Sequence, residues 1–238
     1  MENKELIGDS QHGFTKSKSC LKNLVAFCNR VTMLVHKGRA TDIICLDLCK
    51  AFDTALHDIL VSKLERHGFD GWTTWWIRNW LNGRTQRVAV NSLMSQRKSV
   101  TSGVPEELVL GPVLFNIFFS NMDSGIECTL SKFADNTKLS GVVHMLEGRD
   151  AIQRDLDRLE KWAHAKCMKL NNAKVLHMAW GNPKHKDGEW IESSPEEKDL
   201  WVLLHEMLNV SRNVHLHPRK PTISWAASKE VWPAGRGR

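Results

Sequence analysis

The sequence has no tyrosine, only seven prolines, and six cysteines, none of which forms a C-x-x-C pair. Cys20, Cys28, Cys45, Cys49, Cys128 and Cys167 are too sparse for a disulfide scaffold. Without a paired motif they support neither a zinc ribbon nor thioredoxin-like redox chemistry. They are expected to be reduced and mostly buried, as free cysteines usually are. No apolar run approaches the ~20 residues needed to span a bilayer. The first residues, MENKELIGDSQHGF, lack the apolar stretch of a secretory signal, so the chain is expected to be neither membrane-inserted nor secreted. What is present is ordinary for a folded domain: 42% hydrophobic and 25% charged residues over 238 positions, enough chain to bury a substantial core.

The net charge of +6 is unevenly placed. From Arg212 to Arg238 there are six Lys/Arg against one Glu, a net +5 that leaves +1 on residues 1–211. The basic character therefore belongs to a short tail. Such a tail can attract polyanions without specificity, but the body of the chain is not marked as nucleic-acid-binding by its charge.

The patterning mixes helices and strands. Residues 14–38 carry Leu21, Leu24, Val25, Phe27, Val31, Leu34 and Val35 at helical spacing, ending at Lys37-Gly38. Thr41–Leu48 is a nearly continuous apolar run, the mark of a buried strand. Helices are predicted over His57–His67, Trp72–Leu81, 108–119 and Glu147–Cys167, the last with Ile152, Leu156, Leu159 and Trp162 on one face. Gln86–Asn91 alternates like a strand, and Val175–Trp180 and Leu200–Leu204 are further strand candidates. Thr129–Ala134 and Thr137–Val143 read as a hairpin around Asp135-Asn136, residue types that tolerate a tight turn. The expected class is α+β with a partly antiparallel sheet. From Asn213 onward the periodicity disappears, and residues 213–238 are expected to be irregular.

Two acidic residues stand where strands end: Asp47 after Ile43-Ile44-Cys45-Leu46, and Asp135 at the hairpin. A buried carboxylate is costly unless it is paired or binds metal. Two carboxylates from adjacent strands could hold Mg²⁺, which prefers oxygen ligands and keeps positions open for phosphate. Spacing alone also allows Asp47 to cap the next helix and Asp135 simply to make a turn. Other features read more plainly. His215 and His217 lack partners for a metal site. Arg149, Arg154, Arg158 and Lys161, balanced by Asp150, Asp155, Asp157 and Glu160, form a solvent face. Trp72, Trp75, Trp76 and Trp80 have the spacing of a packed helix face, although tryptophans can also stack bases.

The ordered motifs resemble a known family. Cys45-Leu46-Asp47-Leu48-Cys49-Lys50-Ala51-Phe52-Asp53-Thr54 is similar to the first catalytic motif of reverse transcriptases from non-LTR (LINE-type) retrotransposons. Ser102-Gly103-Val104-Pro105 followed by Val109-Leu110-Gly111-Pro112-Val113-Leu114-Phe115-Asn116 resembles SGVPQGSVLGPxLF. Phe133-Ala134-Asp135-Asn136-Thr137 resembles the F/Y-A-D-D hairpin. Gln11-His12-Gly13-Phe14, Leu170-Asn171-Asn172-Ala173-Lys174 and Lys198-Asp199-Leu200-Trp201-Val202 follow the same order. The set most resembles the vertebrate chicken-repeat clade. The resemblance implies a polymerase palm-like antiparallel sheet with flanking helices, partial fingers and no thumb, spanning residues 1–212. It implies RNA template, DNA primer and deoxynucleoside triphosphates as partners, no membrane, and two Mg²⁺ ions held by Asp47 and Asp135. Leu48, Ala51, Phe52, the position of Glu106, and Lys174 become nucleotide-binding residues. Phe52 would pack beneath the sugar and exclude a ribose 2′-hydroxyl, and Lys174 would lie near the leaving phosphates.

Departures from the pattern bear on activity. Asn136 replaces the second hairpin carboxylate, which removes a negative charge from one metal's ligand set. Glu106-Glu107-Leu108 replaces Gln-Gly-Ser, adding two carboxylates where phosphates would approach and removing a glycine's backbone freedom. Trp201 replaces a glycine. After Arg212 the clade continues with a helix reading approximately QKANRILGCIKR; its codons one nucleotide out of phase give approximately RKPTVSWAASKE, close to Arg219-Lys220-Pro221-Thr222-Ile223-Ser224-Trp225-Ala226-Ala227-Ser228-Lys229-Glu230. The tail is expected to be a frameshift product, and the chain a truncated, degenerate copy. Two functions compete: an RNA-directed DNA polymerase domain that is weakly active or inactive, and a catalytically dead retroelement remnant with at most weak nucleic-acid binding. A third possibility is a reading frame that yields no stable protein.

Overall fold

In the computed structural model, residues 6–91, 93–106 and 108–170 are described, with the backbone of 174–178, 185–186, 189–191, 196–199 and 202–205. In chain order the elements are α1 (Cys20–His36), β1 (Thr41–Leu46), α2 (Ala51–Thr54), α3 (His57–Arg66), α4 (Gly71–Asn82), β2 (Thr85–Gln86), β3 (Ala89–Val90), β4 (Leu93–Met94), β5 (Lys98–Ser99) and α5 (Leu110–Phe118). There follow β6 (Thr129–Phe133), β7 (Asn136–Val142), α6 (Leu146–Ala165), β8 (Lys174–Met178), β9 (His185–Lys186), β10 (Glu189–Trp190), β11 (Glu196–Asp199) and β12 (Val202–His205). Among the described residues no helix is long and apolar enough to cross a membrane. The expectations for residues 213–238 and for Trp201 lie outside the described residues.

One compact unit draws on residues up to Ala51 and from Phe119 onward. Its centre is a four-stranded antiparallel sheet in the order β6-β7-β1-β8. The continuous apolar run of β1 is explained by its inner position, since Ile43 and Ile44 are fully buried although they point to opposite faces. Leu24, Phe27 and Val31 of α1 pack on Ile43. Helix α1 begins where the Ser19 side chain accepts from Lys22 N at 3.2 Å and ends at Gly38, whose φ of 66° closes the last turn. Its apolar stripe is only partly used: Leu21 and Val25, expected on the packed face, are exposed.

Helix α6 buries Ile152, Leu156 and Leu159 as its period predicts, and Trp162 stacks at a tilt on Phe119, ring centres 5.2 Å apart. Gly141 of β7 lets Ile152 approach; a Cβ there would stand 3.3 Å from the Ile152 Cδ1. The reading of its charges as a solvent face fails at Asp155, which is fully buried. Asp155 accepts from the backbone N–H groups of Glu127 (2.9 Å) and Cys128 (2.7 Å) and pairs with Arg158 at 2.8 Å, tying the helix to the chain entering β6. Buried groups of this kind are retained because their hydrogen bonds are made in full.

The cysteines are more accessible than expected: among the six free thiols five are half-buried and Cys167 is exposed. Burial, reinforced by Asp155 and Glu127, pushes the Cys128 thiol from an ordinary 9.0 up to about 12. Alkylation at about pH 8 is therefore expected to label Cys167 and spare Cys128, because the thiolate is the reactive form. Peptide mapping after iodoacetamide checks this, and equal labelling of both would contradict it. The stability that Cys128 contributes is complete below 9.0 and is lost as pH rises from there towards 12, because the unfolded thiol gives up its proton first.

The second unit is built from Phe52–Phe118. Asp70 caps α4, accepting from Thr73 N at 2.9 Å and Thr73 Oγ1 at 2.6 Å, and these bonds hold its carboxyl below the usual range. Lys63 is buried and donates to the carbonyls of Ile117 and Phe118, capping the end of α5. The single strand expected over Gln86–Asn91 is instead divided between two small ribbons, β2 with β5 and β3 with β4. Asn91 takes a φ of 48° at the tip, and the strand residues here are largely exposed, so no buried face enforces a longer ladder. Helix α4 buries Thr74, Ile77 and Leu81. Trp72, Trp75 and Trp76 are exposed, the reverse of the packed face their spacing suggested.

Candidate active site

Leu46, the last residue of β1, pairs with Thr137 of β7. Asp47 is the next residue out of one strand, and Asn136 and Asp135 are the next residues back along the other. A neighbouring strand lies ~5 Å away, so Asp47 and the hairpin tip share one end of the sheet. Asp47 is exposed; Asp135 and Asn136 are half-buried. The turn itself is one residue earlier than expected. Phe133 pairs with Asn136, so Ala134-Asp135 is the two-residue loop and Asn136 opens β7. The positive φ, 55°, falls on Ala134, which no turn propensity favours.

The capping alternative for Asp47 does not hold: α2 starts at Ala51, and the residue before it is Lys50, with a φ of 49°. Asp135 does make a turn, and nothing in that role prevents it from ligating a metal. Leu48 and Ala51 have buried side chains, so only their backbone could meet a ligand. Leu48 bridges to Leu170, and Cys49 N donates to Lys169 O at 2.9 Å. Lys174 opens β8 and pairs with Cys45, two residues before Asp47.

The QHGF segment has a physical role that its sequence did not reveal. Gln11 is buried and grips the hairpin loop: its Oε1 accepts from Gly13 N at 2.8 Å and Ala134 N at 3.0 Å, and its Nε2 donates to Ala134 O at 3.2 Å. Gly13 lies so close that a Cβ would stand 2.3 Å from Ala134 N. His12 N donates to Lys132 O at 2.9 Å and Lys132 N to Ser10 O at 2.8 Å, adding this segment alongside β6. The buried Lys132 ammonium pairs with Asp123, which also accepts from Ser10 Oγ. Burial lowers the Lys132 pKa, and Asp123 opposes that shift. The left-handed Ala134 is thus held from outside by two hydrogen bonds from Gln11 and a close backbone contact with Gly13.

In the second unit, Ser102-Gly103-Val104 is fastened to the chain around Phe52. Val104 N donates to Phe52 O at 2.7 Å, Gly103 N to Ala55 O at 2.8 Å, and Ser102 Oγ to Asp53 O at 2.8 Å. Gly103 has a φ of 83°, and a Cβ would stand 2.5 Å from Phe52 O, so glycine is required twice over. His57 lies 3.0 Å from Gly103 O and 2.9 Å from Asn82 Oδ1, and Arg84 Nη2 donates to Gly103 O at 2.5 Å. Burial lowers the Arg84 pKa, and Asp53 opposes that. The Phe52 ring stacks on Phe115 at 3.9 Å and 8°. Glu106 is exposed, and Glu107 lies outside the described residues. His57, Asn82 and Arg84 had no sequence signal of their own, being scattered residues that meet only in the fold.

Among the described residues no three His, Cys, Asp or Glu side chains gather as a metal cluster. At the hairpin end stand two carboxylates, Asp47 and Asp135, and the Asn136 amide. All are hard oxygen donors, and Mg²⁺ commonly binds proteins through one or two carboxylates, completing its shell with water and phosphate. The donor set fits such an ion, with one charge fewer than three carboxylates would give.

An antiparallel sheet whose hairpin tip carries an acidic residue beside the acidic end of the neighbouring strand is the arrangement of a polymerase palm. Solved structures share this fold. Apo telomerase from Candida tropicalis, truncated from its C-terminal domain, superposes with a TM-score of 0.58 at 10% identity, covering 82% of this chain and 39% of that one. Residues 1–215 match the family described as reverse transcriptase (RNA-dependent DNA polymerase), and the chain belongs to that family. Curated relatives are those of non-LTR retrotransposons. The RNA-directed DNA polymerase from mobile element jockey of Drosophila melanogaster is 27% identical over 71% of this chain. The probable RNA-directed DNA polymerase from transposon BS of the same species is 23% identical over 92%. The chain spans 20% and 26% of the length of these two relatives.

Proposed function

We propose that this chain is the palm portion of an RNA-directed DNA polymerase, extending a DNA primer on an RNA template with deoxynucleoside triphosphates. The observation that carries the reading is the Leu46–Thr137 register, which brings the Asp47 end of β1 to the hairpin tip. Asp47 and Asp135 would hold Mg²⁺, which supplies charge neutralisation of the triphosphate and activation of the primer hydroxyl when bound. Asn136 contributes at most a neutral oxygen. The triphosphate would lie along the backbone at Leu48 and Ala51, and Lys174 would offer a point charge for the leaving phosphates. Phe52, its ring fixed by Phe115, presents a rigid surface beneath a deoxyribose.

Within this reading the chain is a degenerate copy resembling the vertebrate chicken-repeat clade, with residues 213–238 a frameshifted tail. Asn136 and Glu106 favour residual or absent activity, and in the limit a remnant that retains weak nucleic-acid binding. Magnesium-dependent primer extension on an RNA template tests the reading: any activity of the natural chain is expected to disappear in Asp47→Ala. Extension that survives Asp47→Ala would overturn the site assignment.

A further inference from the structure

The chain between Gly71 and Pro105 contains five Lys/Arg and no Asp or Glu. Within it, α4 carries Trp72, Trp76 and Trp80 at four-residue intervals, and Arg84 continues the series. Residues so spaced lie on one helix face, with a rise of about 6 Å between them. Trp76 and Trp80 stand nearly parallel, 9° apart, with ring centres 6.4 Å apart, and the Arg84 guanidinium lies 5.7 Å from the Trp80 ring centre. Arg84 is itself anchored to the carbonyls of Leu81 and Gly103, so the series is held before any ligand arrives.

Trp72, Trp75 and Trp76 are 70%, 60% and 44% exposed, while Thr74, Ile77 and Leu81 bury the opposite face. The helix therefore packs without these three rings. The acids that meet α4 are already partnered there: Asp58 pairs with Arg78 at 3.0 Å, the Asp70 carboxylate is turned to Thr73, and Asp53 faces Arg84. Flat rings with a stacked guanidinium, on a segment carrying positive charge only, form the combination that binds unpaired bases while attracting their phosphates. A protein partner would find the aromatic surface, but nothing in it would call for the missing acids.

We propose that the exposed face of α4 is a stacking platform for single-stranded RNA. This deepens the copying function proposed above and rests on it for the identity of the polymer. The test is binding of a fluorescein-labelled oligouridine to the full chain in EDTA, where copying is silent, so a failure of the copying reading leaves this measurement standing. Wild type is expected to bind with quenching of its tryptophan fluorescence. Trp72→Ala/Trp75→Ala/Trp76→Ala is expected to bind about tenfold more weakly or worse. The corresponding triple Phe variant should retain most of the affinity, and inorganic polyphosphate, a polyanion without bases, should bind wild type and the Ala variant alike. The proposal is overturned if wild type does not bind the RNA, if the Ala variant binds it as wild type does, or if RNA and polyphosphate are weakened equally. It is equally overturned if the Ala substitutions change only self-association.

Discussion

Asn136→Asp combined with Glu106→Gln, Glu107→Gly and Leu108→Ser is expected to raise magnesium-dependent primer extension by on the order of 10²–10³ or more. Asn136 opens β7 beside Asp135, where an amide supplies the shape of a carboxylate without its charge. An electrostatic contact made at the reacting phosphate is the kind whose loss costs several kcal/mol of barrier. Glu106 is exposed after the tightly fastened Ser102-Gly103-Val104 segment, and in the proposed reading it would add a like charge to the approach of a triphosphate. Repulsion of that kind weakens binding most at short range. In the proposed reading the two departures bear on different steps, so Asn136→Asp alone is expected to recover little. Single-turnover extension by the natural chain, the single variant and the combined variant separates these effects. Full recovery from Asn136→Asp alone would show that the Glu106 region is harmless, and no recovery in the combined variant would place the defect elsewhere.

Gln11→Ala is expected to cost about 3 kcal/mol or more of stability, because it strips partners from buried backbone groups at the hairpin loop. The side chain makes three hydrogen bonds, two of them to Ala134 and one to Gly13. Water does not replace them readily, since Gln11 and Ala134 are both buried. Ala134 also sits at a φ of 55°, a conformation that costs an L-residue roughly 1–2 kcal/mol and persists only where its surroundings impose it. Gln11→Glu should fall between: a carboxylate accepts from both N–H groups but has no donor for Ala134 O. Urea unfolding of the three proteins checks the order. A change below about 0.5 kcal/mol in Gln11→Ala, the size of an ordinary surface substitution, would show that the clamp does not hold the loop.

The sheet and its flanking helices were legible where burial is set by local pattern. The run Ile43-Ile44 announces a strand covered on both faces, and Ile152, Leu156 and Leu159 announce the packed side of α6, because period alone decides which way those residues turn. The turn was misplaced by one residue because propensity disfavours Ala at positive φ, and the force that overrides it comes from Gln11 and Gly13, more than a hundred positions away in the chain. Asp155 looked like one of several surface charges for the same reason: its partners are backbone N–H groups of another segment. The tryptophans of α4 have the spacing of a core face, yet Thr74, Ile77 and Leu81 fill that role and leave the larger rings outside. At the candidate site, the two acidic positions stand out in the sequence as proposed ligands, whereas the clamp that Gln11 and Gly13 place on the hairpin loop does not.

Manganese binding, read by electron paramagnetic resonance on the full chain, tests most directly whether Asp47 and Asp135 share a divalent cation. A bound ion is expected whose affinity drops sharply in Asp47→Asn and in Asp135→Asn and rises in Asn136→Asp, as ligand charge is removed or added. Binding that is indifferent to all three substitutions would contradict a metal site at the end of β1 and β7.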